Sequence, residues 1–215
     1  LLLPMAKAGS AALTALAAVA TSDCGVTPDR FLVTGTSKRG WATWLLAAAD
    51  PRVAAIAPTV FDAVRLDAQL RHQREAWGGL SPLLEAYRPL VDRLGTPAGE
   101  DLLALVDPWR HRDRLAMPKL IVLASNDPYF PPDSAQLYLA GVLPVSLLYL
   151  PNEGHAPSDL RPLAAGLAAL ADAAAAGRAL PALTLAATPA GDRVVLELAA
   201  DTRPRAARFW VARAE

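Results

Sequence analysis

The stretch Phe31-Leu-Val-Thr-Gly-Thr-Ser37-Lys-Arg-Gly-Trp41 constrains the fold of this chain more than any other. It predicts a short apolar strand, a sharp turn with Ser37 at its tip, and a helix that begins directly afterwards. Gly35 stands two places before the serine, where a side chain would collide with the following helix. The second small residue of the usual pattern, G-x-S-x-G, is displaced, because Arg39 holds its place and Gly40 follows. A serine held in this way is exposed above the carboxyl edge of a sheet, as a nucleophile must be.

Two more polar residues follow predicted strands, in the chain order Ser, Asp, His. Asp127 comes after the strand at 119–125, and His155 comes after the strand at 145–150. This order is typical of the catalytic triad of α/β-hydrolases. The sequence therefore predicts Ser37 as nucleophile, His155 as general base and Asp127 as the acid that orients the base.

Other residues near these strand ends are further candidates for the site. Asp62 follows the strand at 53–60 and is an alternative acid. The backbone N–H of Lys38 is predicted to donate to an oxyanion, because it lies at the start of a helix. Arg39 and Trp77 are candidates for substrate binding. The same residues also allow simpler interpretations: the serine as a helix N-cap, Asp127 as a turn former, and the cation as surface charge.

Composition excludes several classes of function. The formal net charge is zero, so no electrostatic argument favours nucleic acid or an anionic membrane. The single cysteine, Cys24, has no partner for an intrachain disulfide. His72, His111 and His155 are far apart in the sequence, and we predict no metal site and no cofactor. The expected partner is a small-molecule or peptide substrate.

The first residues allow two interpretations. An Ala/Leu-rich run after Lys7 resembles a secretory signal, whereas Leu13, Leu16 and Val19 have the spacing of an amphipathic helix. We favour a helix over residues 5–20 and predict no transmembrane segment. A signal peptide would leave no room for the strands that precede the nucleophile strand in a hydrolase sheet. We therefore expect an internal piece of a longer protein.

The order of predicted elements favours an α/β fold: the C-terminal half of an α/β-hydrolase, with a parallel sheet flanked by helices. Residues 65–106 have helical patterning and are predicted to form a cap insertion over the site. Residues 1–178 are assigned to the partial hydrolase domain. A helix is predicted to begin near residues 132–134, between the strands at 119–125 and 145–150. Residues 182–215 are assigned to a truncated antiparallel β domain, with strands at 183–188 and 194–198, a turn at 188–192 and a third strand at 208–213.

These motifs resemble the PhoPQ-activated pathogenicity-related proteins, of the PqaA type. The resemblance spans residues 30–160 and is carried by Val33-Thr-Gly-Thr-Ser-Lys-Arg-Gly-Trp41, Asp50-Pro-Arg-Val53, Trp77-Gly-Gly-Leu-Ser81, Val106-Asp-Pro108, Pro118-Lys-Leu120, Asn126-Asp127, Phe130, Pro132-Asp-Ser134, and Pro151-Asn152 with His155. It implies an α/β-hydrolase fold, Ser37, Asp127 and His155 as the triad, and a protein exported to the periplasm or the extracellular space.

Two functions follow as alternatives. The first is a serine hydrolase that cleaves an ester or amide bond, including a peptide bond, through an acyl-enzyme; transfer to an acceptor other than water is a variant of it. The second is a non-catalytic binding or signalling protein on a hydrolase scaffold. The 215 residues alone are expected to be inactive and poorly soluble, because the strand before Ser37 would present an unpaired apolar edge.

Overall fold

A computed structural model of the chain describes residues 1–208 and residue 210. The helices within them are α1 (Leu2–Cys24), α2 (Lys38–Ala49), α3 (Leu66–Trp77), α4 (Arg88–Val91), α5 (Pro97–Val106) and α6 (Arg161–Ala175). The strands are β1 (Phe31–Thr36), β2 (Val53–Thr59), β3 (Lys119–Ala124), β4 (Val145–Leu150), β5 (Leu183–Ala190) and β6 (Arg193–Ala200). Short 3-10 helices lie at Pro82–Tyr87, Pro108–Arg114, Ser134–Leu137 and Leu139–Gly141.

The first four strands form one parallel sheet in the order β1-β2-β3-β4. The predicted α/β class with a parallel sheet is therefore confirmed. All four carboxyl ends meet at one edge of this sheet, so the residues that follow each strand become neighbours. This edge gathers Ser37, Asp62, Asp127 and His155 from distant parts of the sequence.

Side chains of the central strands alternate between two apolar clusters. On β3, Ile121 and Leu123 pack on the side of α2, whereas Leu120 and Val122 pack on the side of α6. The continuous apolar run of β3 is thus explained by burial on both faces, as parallel sheets require.

Helix α1 is longer than the predicted 5–20 and packs against α2. A Cβ on Gly9 would lie 2.7 Å from the Cδ2 atom of Leu46, so the two helices approach closely at this glycine. The Ser10 hydroxyl donates to the carboxylate of Asp50 over 2.7 Å, and Arg52 donates to the same carboxylate over 2.7 Å. These hydrogen bonds with Arg52, together with the one from Ser10, hold the pKa of Asp50 well below its usual range. By length and composition alone, α1 is also long and apolar enough to cross a membrane.

The segment between β2 and β3 contains helices and no strand among its described residues, in agreement with the prediction of a helical insertion. Its two ends are joined by Asp107, whose buried carboxylate accepts from the N–H groups of Arg65, Leu66 and Trp109. The insertion therefore leaves and re-enters the sheet at one point. The domain boundaries assigned from the sequence stay a prediction.

Between β3 and β4 the sequence predicts a helix that begins near residues 132–134, and this is wrong. The structure has only two short 3-10 segments there. Tertiary packing shapes this connection: a Cβ on Gly141 would lie 2.3 Å from the indole ring of Trp109, and Tyr138 packs edge-on against Trp44.

Beyond α6 the chain forms the antiparallel hairpin of β5 and β6. Both predicted strands are present, although β5 continues through residues 188–190, which the sequence assigned to the turn. The predicted third strand at 208–213 lies largely outside the described residues; Arg208 and Trp210, which are described, have no strand assignment. Almost every residue of the hairpin is exposed.

Candidate active site

Ser37 occupies a strained turn between β1 and α2. Its backbone angles are φ 58° and ψ −123°, a region that non-glycine residues rarely adopt. The Ser37 N–H donates to the carbonyl of Thr59 at the end of β2, over 2.8 Å. This hydrogen bond anchors the turn to the neighbouring strand. The serine side chain makes no capping hydrogen bond to α2, so its hydroxyl is available for other contacts.

The displaced second glycine of the motif has a structural reason. A Cβ on Gly35 would lie 2.6 Å from the carbonyl oxygen of Arg39. A Cβ on Gly40 would lie 2.9 Å from the Cβ of Phe61 and 3.0 Å from the carbonyl oxygen of Gly35. In this turn it is the third residue after Ser37 that faces the end of β2, while Arg39 is exposed. The spacing G-x-S-x-x-G therefore makes a tight elbow.

His155 connects the Ser37 hydroxyl to the Asp127 carboxylate. The His155 Nε2 atom lies 2.7 Å from Ser37 Oγ, and its Nδ1 atom lies 2.9 and 3.1 Å from the two oxygens of Asp127. A carboxylate beside Nδ1 favours the tautomer with the proton on that nitrogen, in which Nε2 can accept from the serine hydroxyl. The Asp127 side chain is buried and the His155 side chain is partly exposed. These three predicted residues are brought together.

The loops that carry the acid and the histidine are tied to each other. The Asn126 N–H donates to the carbonyl of Glu153 over 2.9 Å, and the Asn152 N–H donates to the Ser125 hydroxyl over 2.8 Å. The Glu153 carboxylate in turn accepts from the N–H groups of Ser158 and Asp159, and these hydrogen bonds lower its pKa. Hydrogen bonds between residues 125–126 and residues 152–153 thus hold the two loops together just before Asp127 and His155.

Asp62, the alternative acid, does not contact His155. Asp62 is 1% exposed, and its Oδ1 atom has no hydrogen-bond partner among the described residues. Burial raises the pKa of Asp62 well above its usual value, and the nearby charge of Asp127 adds to the rise. The neighbouring Tyr138 hydroxyl acts in the opposite direction, but in the part of the chain that the structure describes it has no partner at regular hydrogen-bond geometry. Its surroundings therefore favour the protonated form of Asp62 over the charged one.

The remaining candidates lie at different distances from Ser37. Lys38 is the first residue of α2, so its N–H has no acceptor within the helix and lies directly next to the serine. Its ammonium group sits over the Tyr87 ring, 5.5 Å from the ring centre. Arg39 and Trp77 are exposed, and neither lines the cavity at Ser37.

A cavity of about 50 Å³ opens beside the Ser37 hydroxyl. One wall comes from the elbow and α2, and the other comes from the insertion and the loop after β3. Most of its lining is apolar, contributed by Trp41, Val60, Phe61, Ala63, Leu66, Leu70, Leu84, Leu90, Val91 and Phe130. Such a cavity favours a short apolar group held against the serine.

Comparison with known proteins identifies the chain's family. The model of the family described as PhoPQ-activated pathogenicity-related protein matches residues 1–215. The chain belongs to this family. A relative by sequence is autocrine proliferation repressor protein A of Dictyostelium discoideum, which is 35% identical over 158 residues. The match covers 71% of this chain and 32% of that protein, so the chain spans about a third of the relative's length.

A solved structure places the chain in the α/β-hydrolase fold. A puromycin hydrolase matches with a TM-score of 0.50 and 23% identity, over 73% of this chain and 24% of that chain. Acetyl xylan esterase 1 from Thermoanaerobacterium sp. JW/SL YS485 matches with a TM-score of 0.47 and 21% identity, over 71% of this chain and 49% of that chain. At this identity the likeness concerns the fold alone.

Sequence reasoning missed the polar residues of the insertion that contact the acid loop. Gln73 and Ser81 are buried and hydrogen-bond to the two residues that follow Asp127. Tyr129, one of those two, packs its ring 4.2 Å from the His155 ring. A glutamine among the apolar positions of the α3 pattern is the signal that marks such a buried polar contact.

Proposed function

We propose that this chain carries the catalytic centre of a serine hydrolase that cleaves an ester or amide bond through an acyl-enzyme intermediate. The observation that carries the proposal is the hydrogen-bonded chain from Ser37 Oγ through His155 to Asp127. A serine hydroxyl is a weak nucleophile until a base accepts its proton, and here a base lies within hydrogen-bond distance. The strained elbow supports the same reading, since it presents the hydroxyl at the edge of the sheet.

In the first half of the reaction, Ser37 Oγ attacks the carbonyl carbon of the substrate while its proton moves to His155 Nε2. The tetrahedral intermediate collapses when the bond to the leaving group breaks and the imidazolium gives its proton to that group. A water molecule then attacks the acyl-enzyme with His155 again as base, which releases the acid and restores the serine. Asp127 keeps the imidazole oriented and stabilises its charged form. The Lys38 N–H is one donor to the oxyanion.

The cavity supports a substrate whose acyl part is short and apolar. Its apolar walls stabilise such a group by removing it from water, whereas a charged acyl group would lose hydration without a partner. The carbonyl carbon must lie next to Ser37 Oγ, where the cavity meets the elbow. We expect the leaving group to extend outward toward the exposed side of His155.

Labelling with a fluorophosphonate probe tests the proposal in the protein produced from its whole gene. We expect one labelled peptide that contains Ser37, identified by mass spectrometry, and hydrolysis of p-nitrophenyl esters of short apolar acids. Ser37→Ala should abolish labelling, and His155→Ala should slow it by more than about 10³-fold because the base is lost. Ser22→Ala, which removes an exposed serine of α1, serves as the control.

A folded protein whose Ser37 does not react with the probe would contradict the proposal. Equal labelling of the parent and of His155→Ala would contradict it as well, since an unactivated serine reacts without a base. Either result would leave a non-catalytic binding protein on a hydrolase scaffold as the better description.

A further inference from the structure

The two residues that follow Asp127 accept hydrogen bonds from side chains of the helical insertion between β2 and β3. The Ser81 hydroxyl donates to the carbonyl of Pro128 over 2.7 Å, and the Gln73 amide donates to the carbonyl of Tyr129 over 2.9 Å. The two residues are also joined to each other, because the Ser81 N–H donates to Gln73 Oε1 over 3.1 Å. We refer to Gln73 and Ser81 together as the latch.

One peptide group stands between the latch and the acid. The carbonyl of Pro128 accepts from Ser81, and the N–H on the other side of the same peptide, that of Tyr129, donates to Asp127 Oδ1 over 2.8 Å. Proline has no N–H, so the N–H of Tyr129 is the first one after Asp127 that can bind its carboxylate. A peptide whose carbonyl accepts a hydrogen bond becomes a better donor at its N–H.

The contacts therefore form a continuous series. It runs from the Ser81 hydroxyl through the peptide between Pro128 and Tyr129 to Asp127, and then through His155 to Ser37. The latch residues are 1% and 5% exposed, so water does not compete freely for these hydrogen bonds.

We propose that Gln73 and Ser81 are positioning residues that fix the Asp127 carboxylate against His155 from the insertion, and so couple the cap to the catalytic base. The inference rests on the proposed hydrolase function. Neither residue hydrogen-bonds to the serine hydroxyl or to the imidazole. Ser81 acts through the peptide that binds the acid, and Gln73 holds both Ser81 and the next carbonyl, that of Tyr129. Loss of the Ser81 hydroxyl should lower the rate of the chemical step and leave substrate binding almost unchanged. Gln73 also lines the cavity beside Ser37, so its replacement should change KM as well as the rate.

Kinetics of latch variants test this inference in the protein from its whole gene. We expect Ser81→Ala to lower both kcat and the rate of fluorophosphonate labelling about tenfold, with KM changed less than about twofold. Ser81→Thr, which keeps the hydroxyl, should restore most of the rate. Ser10→Ala is the matched control, since it removes a serine hydroxyl that also donates over 2.7 Å, but to Asp50 at the C-terminal end of α2.

A second variant, together with a measurement of folding, separates loss of the hydrogen bonds from loss of the folded structure. Gln73→Met keeps the volume of the side chain and removes both of its hydrogen bonds, and thermal unfolding shows whether each variant is folded. The positioning role of the latch is disproved if folded Ser81→Ala and Gln73→Met keep the parent kcat. It is also disproved if Ser10→Ala lowers kcat as much as Ser81→Ala does. A parent protein whose Ser37 never reacts overturns the latch together with the hydrolase proposal, whereas a reactive parent with unaffected variants overturns the latch alone.

Discussion

The loops after β2 and after β3 both place an aspartate at the carboxyl edge of the sheet, yet they support the site in different ways. The β2 loop contacts the elbow through its backbone and through packing: Thr59 accepts from the Ser37 N–H, and Phe61 lies against Gly40. The β3 loop contacts the histidine through a carboxylate, that of Asp127.

The difference lies in the partners that each carboxyl group meets. Asp127 accepts a hydrogen bond from the Tyr129 N–H and faces His155, and these contacts stabilise its carboxylate. Asp62 is enclosed by apolar and aromatic side chains, and its Oδ1 atom has no partner among the described residues. Neutralisation is the less costly state for such a group. Position at a strand end is therefore not enough to make an aspartate the acid of a triad.

Replacement of Asp127 should have the largest effect. Asp127→Asn keeps the shape of the side chain but presents no full charge to the imidazolium and permits the wrong tautomer of His155. We expect kcat to fall on the order of 10⁴-fold with little change in KM. Steady-state hydrolysis of an activated ester measures it.

Asp62→Asn is the matched control for this change, because it makes the same substitution at the neighbouring strand end. We expect its kcat to stay within about threefold of the parent value. If Asp62→Asn lost as much activity as Asp127→Asn, the contrast between the two loops would be wrong and Asp62 would be part of the catalytic machinery.

Gly40→Ala should have an intermediate effect, through the packing of the β2 loop. The added Cβ would lie 2.9 Å from the Cβ of Phe61, so the elbow or the β2 loop must move. We expect kcat to fall about 100-fold, because small displacements of a nucleophile are costly. The free energy of unfolding should fall by about 1–3 kcal/mol.

Gly79→Ala is its control, since no heavy atom of the described residues, apart from the two chain neighbours, lies within 4 Å of a Cβ at that position. Urea denaturation and ester hydrolysis of both variants separate stability from activity. Full activity of Gly40→Ala would show that the β2 loop tolerates displacement and that its packing does not set the position of Ser37.

The smallest effect concerns the pH dependence of stability. Burial raises the pKa of Asp62 well above its usual value, so the folded protein keeps a proton that the unfolded chain releases above about pH 4. The unfolded state then binds fewer protons, and stability falls as the pH rises. Asp62→Asn removes this dependence. The difference in the free energy of unfolding, variant minus parent, should rise by on the order of 1 kcal/mol per pH unit between pH 4 and 6.

Denaturant unfolding of the two proteins at several pH values measures this difference. A constant difference across that range would mean that Asp62 ionises in the folded protein much as it does in the unfolded chain. The carboxyl group would then have a partner or a path to water, and the two strand-end aspartates would be more alike than their surroundings indicate.

Much of the frame follows from local patterns in the sequence. The four apolar runs predict β1 to β4, and the order of Ser37, Asp127 and His155 after three of them predicts which residues meet, since parallel strands bring their carboxyl ends to one edge. The helical pattern of 65–106 likewise predicts the insertion. Such features depend on residues a few positions apart in the sequence, so the periodicity of the apolar residues predicts them directly.

The details of the site depend on contacts between distant residues. Ser81 and Pro128 are 47 positions apart, and Gln73 and Tyr129 are 56 positions apart. No periodic pattern encodes these hydrogen bonds. The same holds for the connection after β3, where the predicted helix is absent because the segment follows the shape of the surfaces on which it packs.

The sequence by itself determined the parallel sheet, the elbow with Ser37 at its tip, and the set of strand-end residues from which the site is built. Only the tertiary structure decided that Asp127 and not Asp62 faces His155, and that the second glycine belongs at position 40. The reason is that burial and hydrogen-bond partners set the charge of a carboxyl group and the space for a side chain, and both are supplied by parts of the chain that are distant in sequence.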